Sequence, residues 1–197
     1  EWKNQFGNEI INQLKRLGCS CDWSRERFTL DEGLSKAVRF VFVKLYNDKL
    51  IYKDKRLSNW DPKLKTTISD LEVIQKEVKG SLWYIDYKIE NEDKVITIAT
   101  TRPETMLGDT AIAVHPDDER FRDFVGKYAY IPILNKKIII ISDEYVKVDQ
   151  GSGAVKITPA HDFNDYDVGQ RNNLEIINIF TEAGKINENA PEHYVGL

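Results

Sequence analysis

The hydrophobic period of the chain changes near residue 80. Before that point apolar residues recur at helical spacing. Glu1-Trp2 fall within a helical pattern, and Ile10, Leu14 and Leu17 mark a helix that Gly18 would stop. Leu34, Ala37, Val38, Val41, Phe42 and Leu45 outline a stronger one at i, i+3, i+4, i+7 spacing. Thr29 and Glu32 precede it at capping-box spacing. The stripe is expected to be core. Ser58 to Lys65, around Pro62, is turn-rich and is the expected boundary.

From Ser81 the period changes, and the segments become rich in β-branched and aromatic residues. Leu82–Ile89 and Val95–Thr100 read as strands, with Asn91-Glu92-Asp93 as a hairpin turn. Ala111–Val114, Tyr128–Ile133, Lys137–Ile141, Val155–Thr158 and Ile176–Phe180 are further strand candidates. Asp117–Val125 and Asp162–Gly169 read as short helices. Many short strands with two helical inserts predict a closed or nearly closed β structure. The fold class expected is α+β, a β-barrel-like domain with flanking helices, preceded by a helical connecting segment. The segments expected are residues 1–75 and 76–197.

Composition narrows the class. The 197 residues are 41% apolar and 30% charged, as in a globular domain. The longest apolar runs, such as Phe40–Val43, have four residues, against the roughly 18–20 of a membrane span. A net charge of −4 argues against a phosphate-binding partner. Its division does not. Residues 1–80 hold 16 Lys and Arg against 12 Asp and Glu, and residues 81–197 hold 12 against 20. Cys19 and Cys21, one residue apart, are expected to be reduced thiols. The start within a helical pattern, without Met, suggests a piece of a longer protein.

Two polar segments are not explained by the fold. The first is Thr100-Thr101-Arg102-Pro103-Glu104-Thr105, running on to Thr110. Threonine hydroxyls donate and accept, so the cluster suits an ester or a ribose, and Arg102 suits a phosphate. The same threonines also fit a strand end capped by local backbone bonds. The second runs from Gly151 to Asp165. Lys156 and Thr158, two apart on a strand, face one side. Asp162 and Asp165, three apart on a helix, are neighbours. Two carboxylates beside a lysine can hold an ammonium and a polarised ester. Asp162 equally suits a helix N-terminus, with Lys156 as its ion pair. No Gly-x-Ser-x-Gly elbow accompanies His161. His115, His161 and His193 lack metal-ligand spacing.

Together the runs Ala99 to Thr110 and Gly151 to Asp165 resemble the editing domain of valyl-tRNA synthetases, the large insertion in the class I catalytic fold. Val114-His115-Pro116-Asp117, Cys21-Asp22-Trp23-Ser24-Arg25-Glu26 and Asn59-Trp60-Asp61-Pro62 with Ile68 to Val73 extend the likeness over nearly the whole chain. Neither a His-x-Gly-His nor a Lys-Met-Ser-Lys signature occurs, so amino-acid activation is not expected. The resemblance implies a cytoplasmic aminoacyl-tRNA deacylase that removes threonine from mischarged valine tRNA. It needs no cofactor, metal or membrane. Its partners would be the tRNA 3′ end and the rest of the parent synthetase. Asp165 would anchor the ammonium and Asp162 read the threonine hydroxyl, or the two would exchange roles. Lys156 and Thr158 would surround the ester and the attacking water. Thr100, Thr101, Arg102 and Thr105 would hold the terminal adenosine. The alternative is a tRNA-end binding module that does not turn over.

Overall fold

Local chain chemistry sets where each helix begins and ends. The computed structural model describes residues 1–197, which divide into two units, Glu1–Lys55 and Arg56–Leu197. The first holds helices α1 (Trp2–Phe6), α2 (Glu9–Arg16) and α3 (Glu32–Asn47). Gly18, at φ 80°, follows α2 as expected of a stop. Thr29 does not cap α3. Asp31 does: its carboxylate accepts from the Leu34 amide at 2.7 Å and pairs with Arg27. The apolar stripe of α3 is not core either. Val38, Val41 and Phe42 are 51–63% exposed, and no residue of this unit is buried. Three short helices supply no second layer to cover the stripe.

The second unit opens with a hairpin, not a simple turn. Strands β1 (Asn59–Asp61) and β2 (Thr66–Ile68) pair antiparallel. Asp61 accepts from the amides of Lys63 and Leu64, which closes the loop. Trp60 Nε1 donates to the Glu182 carbonyl at 2.8 Å. The unit boundary therefore lies at Lys55–Arg56, and residues 56–75 belong with the β-rich unit.

Six strands follow: β3 (Trp83–Ile89), β4 (Val95–Thr100), β5 (Ala111–Val114), β6 (Tyr128–Tyr130), β7 (Lys137–Ser142) and β8 (Ala154–Ile157). Their order is β4-β3-β6-β7-β5-β8, with only β5 and β7 parallel. The two edges approach one another. A Cβ at Gly151, just before β8, would lie 3.0 Å from that of Ala99 in β4. The sheet is thus a nearly closed barrel, and the α+β class is observed.

Period-two alternation divides the core. Tyr87, Ile96, Ile112, Ile140 and Ala154 fill the barrel interior. Ala111, Ala113 and Ile157 face outward, under Val168 of helix α4 (Phe163–Arg171). Lys156 alternates with Ile157 and pairs in register with Ile112, so it points inward with Ala154.

Two expected elements do not form. Asp117–Val125 contains only a single 3-10 turn, Arg122–Phe124. Asp118 folds back to the Arg120 amide and guanidinium, which competes with helix formation. Ile176–Phe180 is not a strand, apart from one bridge between Phe180 and Ile186. Side chains take its backbone groups instead. His161 accepts from the Ile179 amide, and Asn187 and Asn189 donate to the Asn178 carbonyl.

Gly108 lets this irregular segment lie against the barrel. A Cβ there would sit 2.9 Å from the Ile177 carbonyl oxygen and 3.4 Å from Thr158 Cγ2. Gly108→Ala is therefore expected to lower stability by about 1–3 kcal/mol through overpacking. The urea midpoint measures it, and an unchanged midpoint would mean that the segment yields freely.

Candidate active site

Both polar segments end at the same mouth of the barrel. A cavity of about 240 Å³ opens there, and Thr100, Thr101, Arg102, Thr105, Lys156, Thr158, Asp162 and Asp165 all line it. A larger cavity, about 650 Å³, lies by the β3–β4 turn among Asp86, Glu92, Tyr130 and Ile133, and contains none of these residues.

At the floor is a buried ion pair. Lys156 Nζ lies 3.0 Å from Asp109 Oδ1, with side chains 7% and 0% exposed. Nζ also donates to Thr105 Oγ1 at 2.8 Å and to Thr158 Oγ1 at 2.5 Å. An ammonium has three protons, so all three are engaged. Thr158 Oγ1 donates to Asp109 Oδ1 at 2.6 Å, and Thr105 Oγ1 to the Arg102 carbonyl at 3.0 Å. Each hydroxyl has committed its proton and accepted one. Toward the cavity it can therefore offer only a lone pair.

The wall is built from α4 and the loop after β4. Asp162 caps α4, its Oδ1 accepting from the amides of Asn164 and Asp165 at 2.8 and 3.1 Å. Asp165, one turn in, accepts from the Thr158 amide through Oδ2 at 2.9 Å. This bond ties the helix to the end of β8. Arg102 spans the two segments, with Nη1 on the His161 carbonyl at 2.9 Å and Nε on Glu104 at 3.1 Å. Thr100 Oγ1 accepts from the Arg102 amide. Thr101 is exposed at the rim.

Residues 1–190 match the family model of the class I tRNA synthetases (I, L, M and V). The chain belongs to the class I tRNA synthetases. It is 67% identical over its full length to the valine–tRNA ligase of Pelagibacter ubique, and 58% to that of Syntrophotalea carbinolica. It is 61% identical over 94% of its length to that of Bartonella henselae. It spans only 21–22% of the length of these curated relatives. Among solved structures, the LeuRS-tRNA-LeuAMS ternary complex of Agrobacterium radiobacter aligns over 89% of this chain and 32% of its own. Its TM-score is 0.46, at 20% identity.

Two members of the floor in this class I synthetase chain escape sequence reading. Asp109 falls inside the first polar run, but nothing there distinguishes it from a loop acid. The available signal is Lys156 itself, which sits between Val155 and Ile157 in a strand and needs a buried counter-charge. Tyr87 reads as a core aromatic, yet its hydroxyl donates to Asp109 Oδ2 at 2.7 Å. His161 lines the cavity but is structural. Its Nε2 accepts from Ile179, its ring meets Phe180 edge-on, and burial beside Arg102 pushes its pKa down to about 4.

Burial raises the Asp165 carboxyl to about 6, opposed by the Thr158 amide and reinforced by the charge of Asp162. A raised carboxyl favours the protonated folded state. Its contribution to stability is full below the ordinary carboxylate range and is lost as pH rises through about 6. The ionised form is the one able to hold an ammonium. The Asp165 carboxyl carbon is expected to titrate near pH 6 by NMR, and Asp165→Asn to flatten the loss of stability between the ordinary carboxylate pKa and that value. A midpoint in the ordinary range would contradict the desolvated setting.

Proposed function

We propose that this chain edits, hydrolysing the aminoacyl ester of threonyl-tRNA(Val). The observation carrying the reading is the polarity of the cavity. Hydroxyls limited to accepting, from Thr105 and Thr158, stand with two carboxylates in one pocket. That lining suits an ammonium and a water, the two donors present when an aminoacyl ester is hydrolysed.

The need for such a site is physical. Threonine is nearly isosteric with valine, and an apolar pocket rejects the added hydroxyl by only about 10²-fold, a magnitude already established for valyl-tRNA synthetases. A second site can reverse the test by hydrogen-bonding that hydroxyl. Valine would then leave a polar group unpaired, at about 1–3 kcal/mol.

In this reading Asp165 anchors the ammonium. Asp162, oriented by the first amides of α4, reads the threonine hydroxyl. Thr158 accepts a hydrogen bond from the attacking water, whose proton passes in the end to the leaving ribose oxygen. Lys156, its protons already engaged, supplies charge behind Thr158 and Thr105 rather than a direct bond to the ester. Arg102, Thr100, Thr101 and Thr105 border the terminal adenosine. The water oxygen bonds to the ester carbon, the ester C–O bond breaks, and the ribose oxygen takes a proton. Threonine and free tRNA result. Positioning and preset dipoles supply the catalysis, with no protein nucleophile. Valine tRNA and the rest of a parent synthetase are the partners, in the cytoplasm. No helix is long and apolar enough to cross a membrane.

Single-turnover hydrolysis of threonyl-tRNA(Val) tests the proposal. Asp165→Ala is expected to abolish release of threonine while the fold persists, and wild-type hydrolysis by that variant would refute the assignment. Asp162→Ala is expected to lose discrimination between threonyl- and valyl-tRNA. Unchanged discrimination would move the hydroxyl reader elsewhere. Binding without release of threonine by the unaltered chain would favour a binding module over a hydrolase.

A further inference from the structure

We infer that Tyr87 is a positioning residue of the editing pocket: its buried hydroxyl holds Asp109 so that Thr158 faces the cavity only as an acceptor. The inference rests on the editing reading for its consequence in catalysis, but the geometry stands apart from it.

Tyr87 lies on β3, fully buried among apolar side chains of the barrel interior. A phenylalanine would fill that volume without a hydroxyl to satisfy. The hydroxyl has a specific partner, Asp109 Oδ2 at 2.7 Å. The other carboxylate oxygen, Oδ1, takes Thr158 Oγ1 and Lys156 Nζ. Tyr87 thus occupies one oxygen from the far side and turns the other toward β8. Thr158 donates inward because an ionised acceptor waits there, and only a lone pair is left for the cavity that Thr158 lines. Two residues, Asp109 and Thr158, stand between the tyrosine and any substrate.

The titratable groups facing Asp109 are Tyr87 from β3, Lys156 from β8 and Asp165 from α4. Burial pushes the Asp109 carboxyl up. Lys156, Thr158 and Tyr87 oppose that push. Without the phenol, Oδ2 is a buried acceptor with one donor fewer, and Asp109 takes up a proton more readily. A protonated Asp109 is a poorer acceptor for Thr158, whose proton is then free to turn outward. A donor would replace an acceptor at the point where water and ammonium must be held.

Tyr87→Phe tests this with two independent readouts. The Asp109 carboxyl carbon, followed by NMR, is expected to titrate about one pH unit higher in the variant. An unchanged midpoint overturns the inference whatever the chain does to tRNA. In single-turnover deacylation the rate constant is expected to fall several-fold at neutral pH, by no more than the roughly 10-fold that a one-unit shift allows. It should recover as pH rises, with the half-saturating tRNA concentration little changed. A loss of equal size at every pH would make Tyr87 merely structural and overturn the inference. Should the unaltered chain release no threonine, the editing proposal fails, while the Asp109 titration still decides the role of Tyr87.

Discussion

The Lys156–Asp109 pair is almost wholly buried at the floor of the cavity, and the rest of the pocket follows from that. Two charges taken out of water are costly, and removing one partner of such a pair destabilises by about 3–5 kcal/mol. The barrel end therefore closes only when both are present, with their remaining bonds supplied. Thr105, Thr158 and Tyr87 supply them. Lys156 and Asp109 are 47 residues apart in the chain. Their attraction brings the loop after β4 and the strand β8 to one place. Asp109 also takes the proton of Thr158, and Lys156 takes a lone pair of both Thr105 and Thr158.

The carboxylates are held by a different device. Asp165 reaches the end of β8 through the Thr158 amide, and Gly169, at the far end of α4, lets the helix lie close to Pro159. Arg171 and Asn172 tie the C-terminal end of α4 to Asp143, after β7. The helix is thus fixed at both ends, and its N-terminal acids stay over a floor that is already rigid. Preset groups of this kind need little rearrangement when charge develops on a substrate, which is how fixed dipoles accelerate a reaction.

Local patterning told strands apart reliably where their own side chains decided the matter. β4 and β5 fall on the residues expected to form strands, and β3 begins one residue later. It failed where distant groups competed for the backbone. Ile176–Phe180 has strand composition, but His161, Asn187 and Asn189 take its hydrogen bonds. Asp117–Val125 looked helical until Asp118 turned to Arg120. The α3 stripe has a core pattern without a neighbour in its unit to cover it. Periodicity reports which face is apolar, not whether anything lies against it.

By itself the sequence determined which side chains carry polar chemistry: the two runs from Thr100 and from Gly151 contain every residue expected at the cavity. It also determined that Lys156 and Thr158 share a face, because strand geometry is local. Only the tertiary structure decided the partners. Asp109 became the counter-charge of Lys156, Tyr87 became the brace of Asp109 from the barrel interior, and His161 became a scaffold residue. A hydrogen bond depends on about a few tenths of an ångström, here between atoms far apart in the chain. Such distances exist only once the barrel has closed.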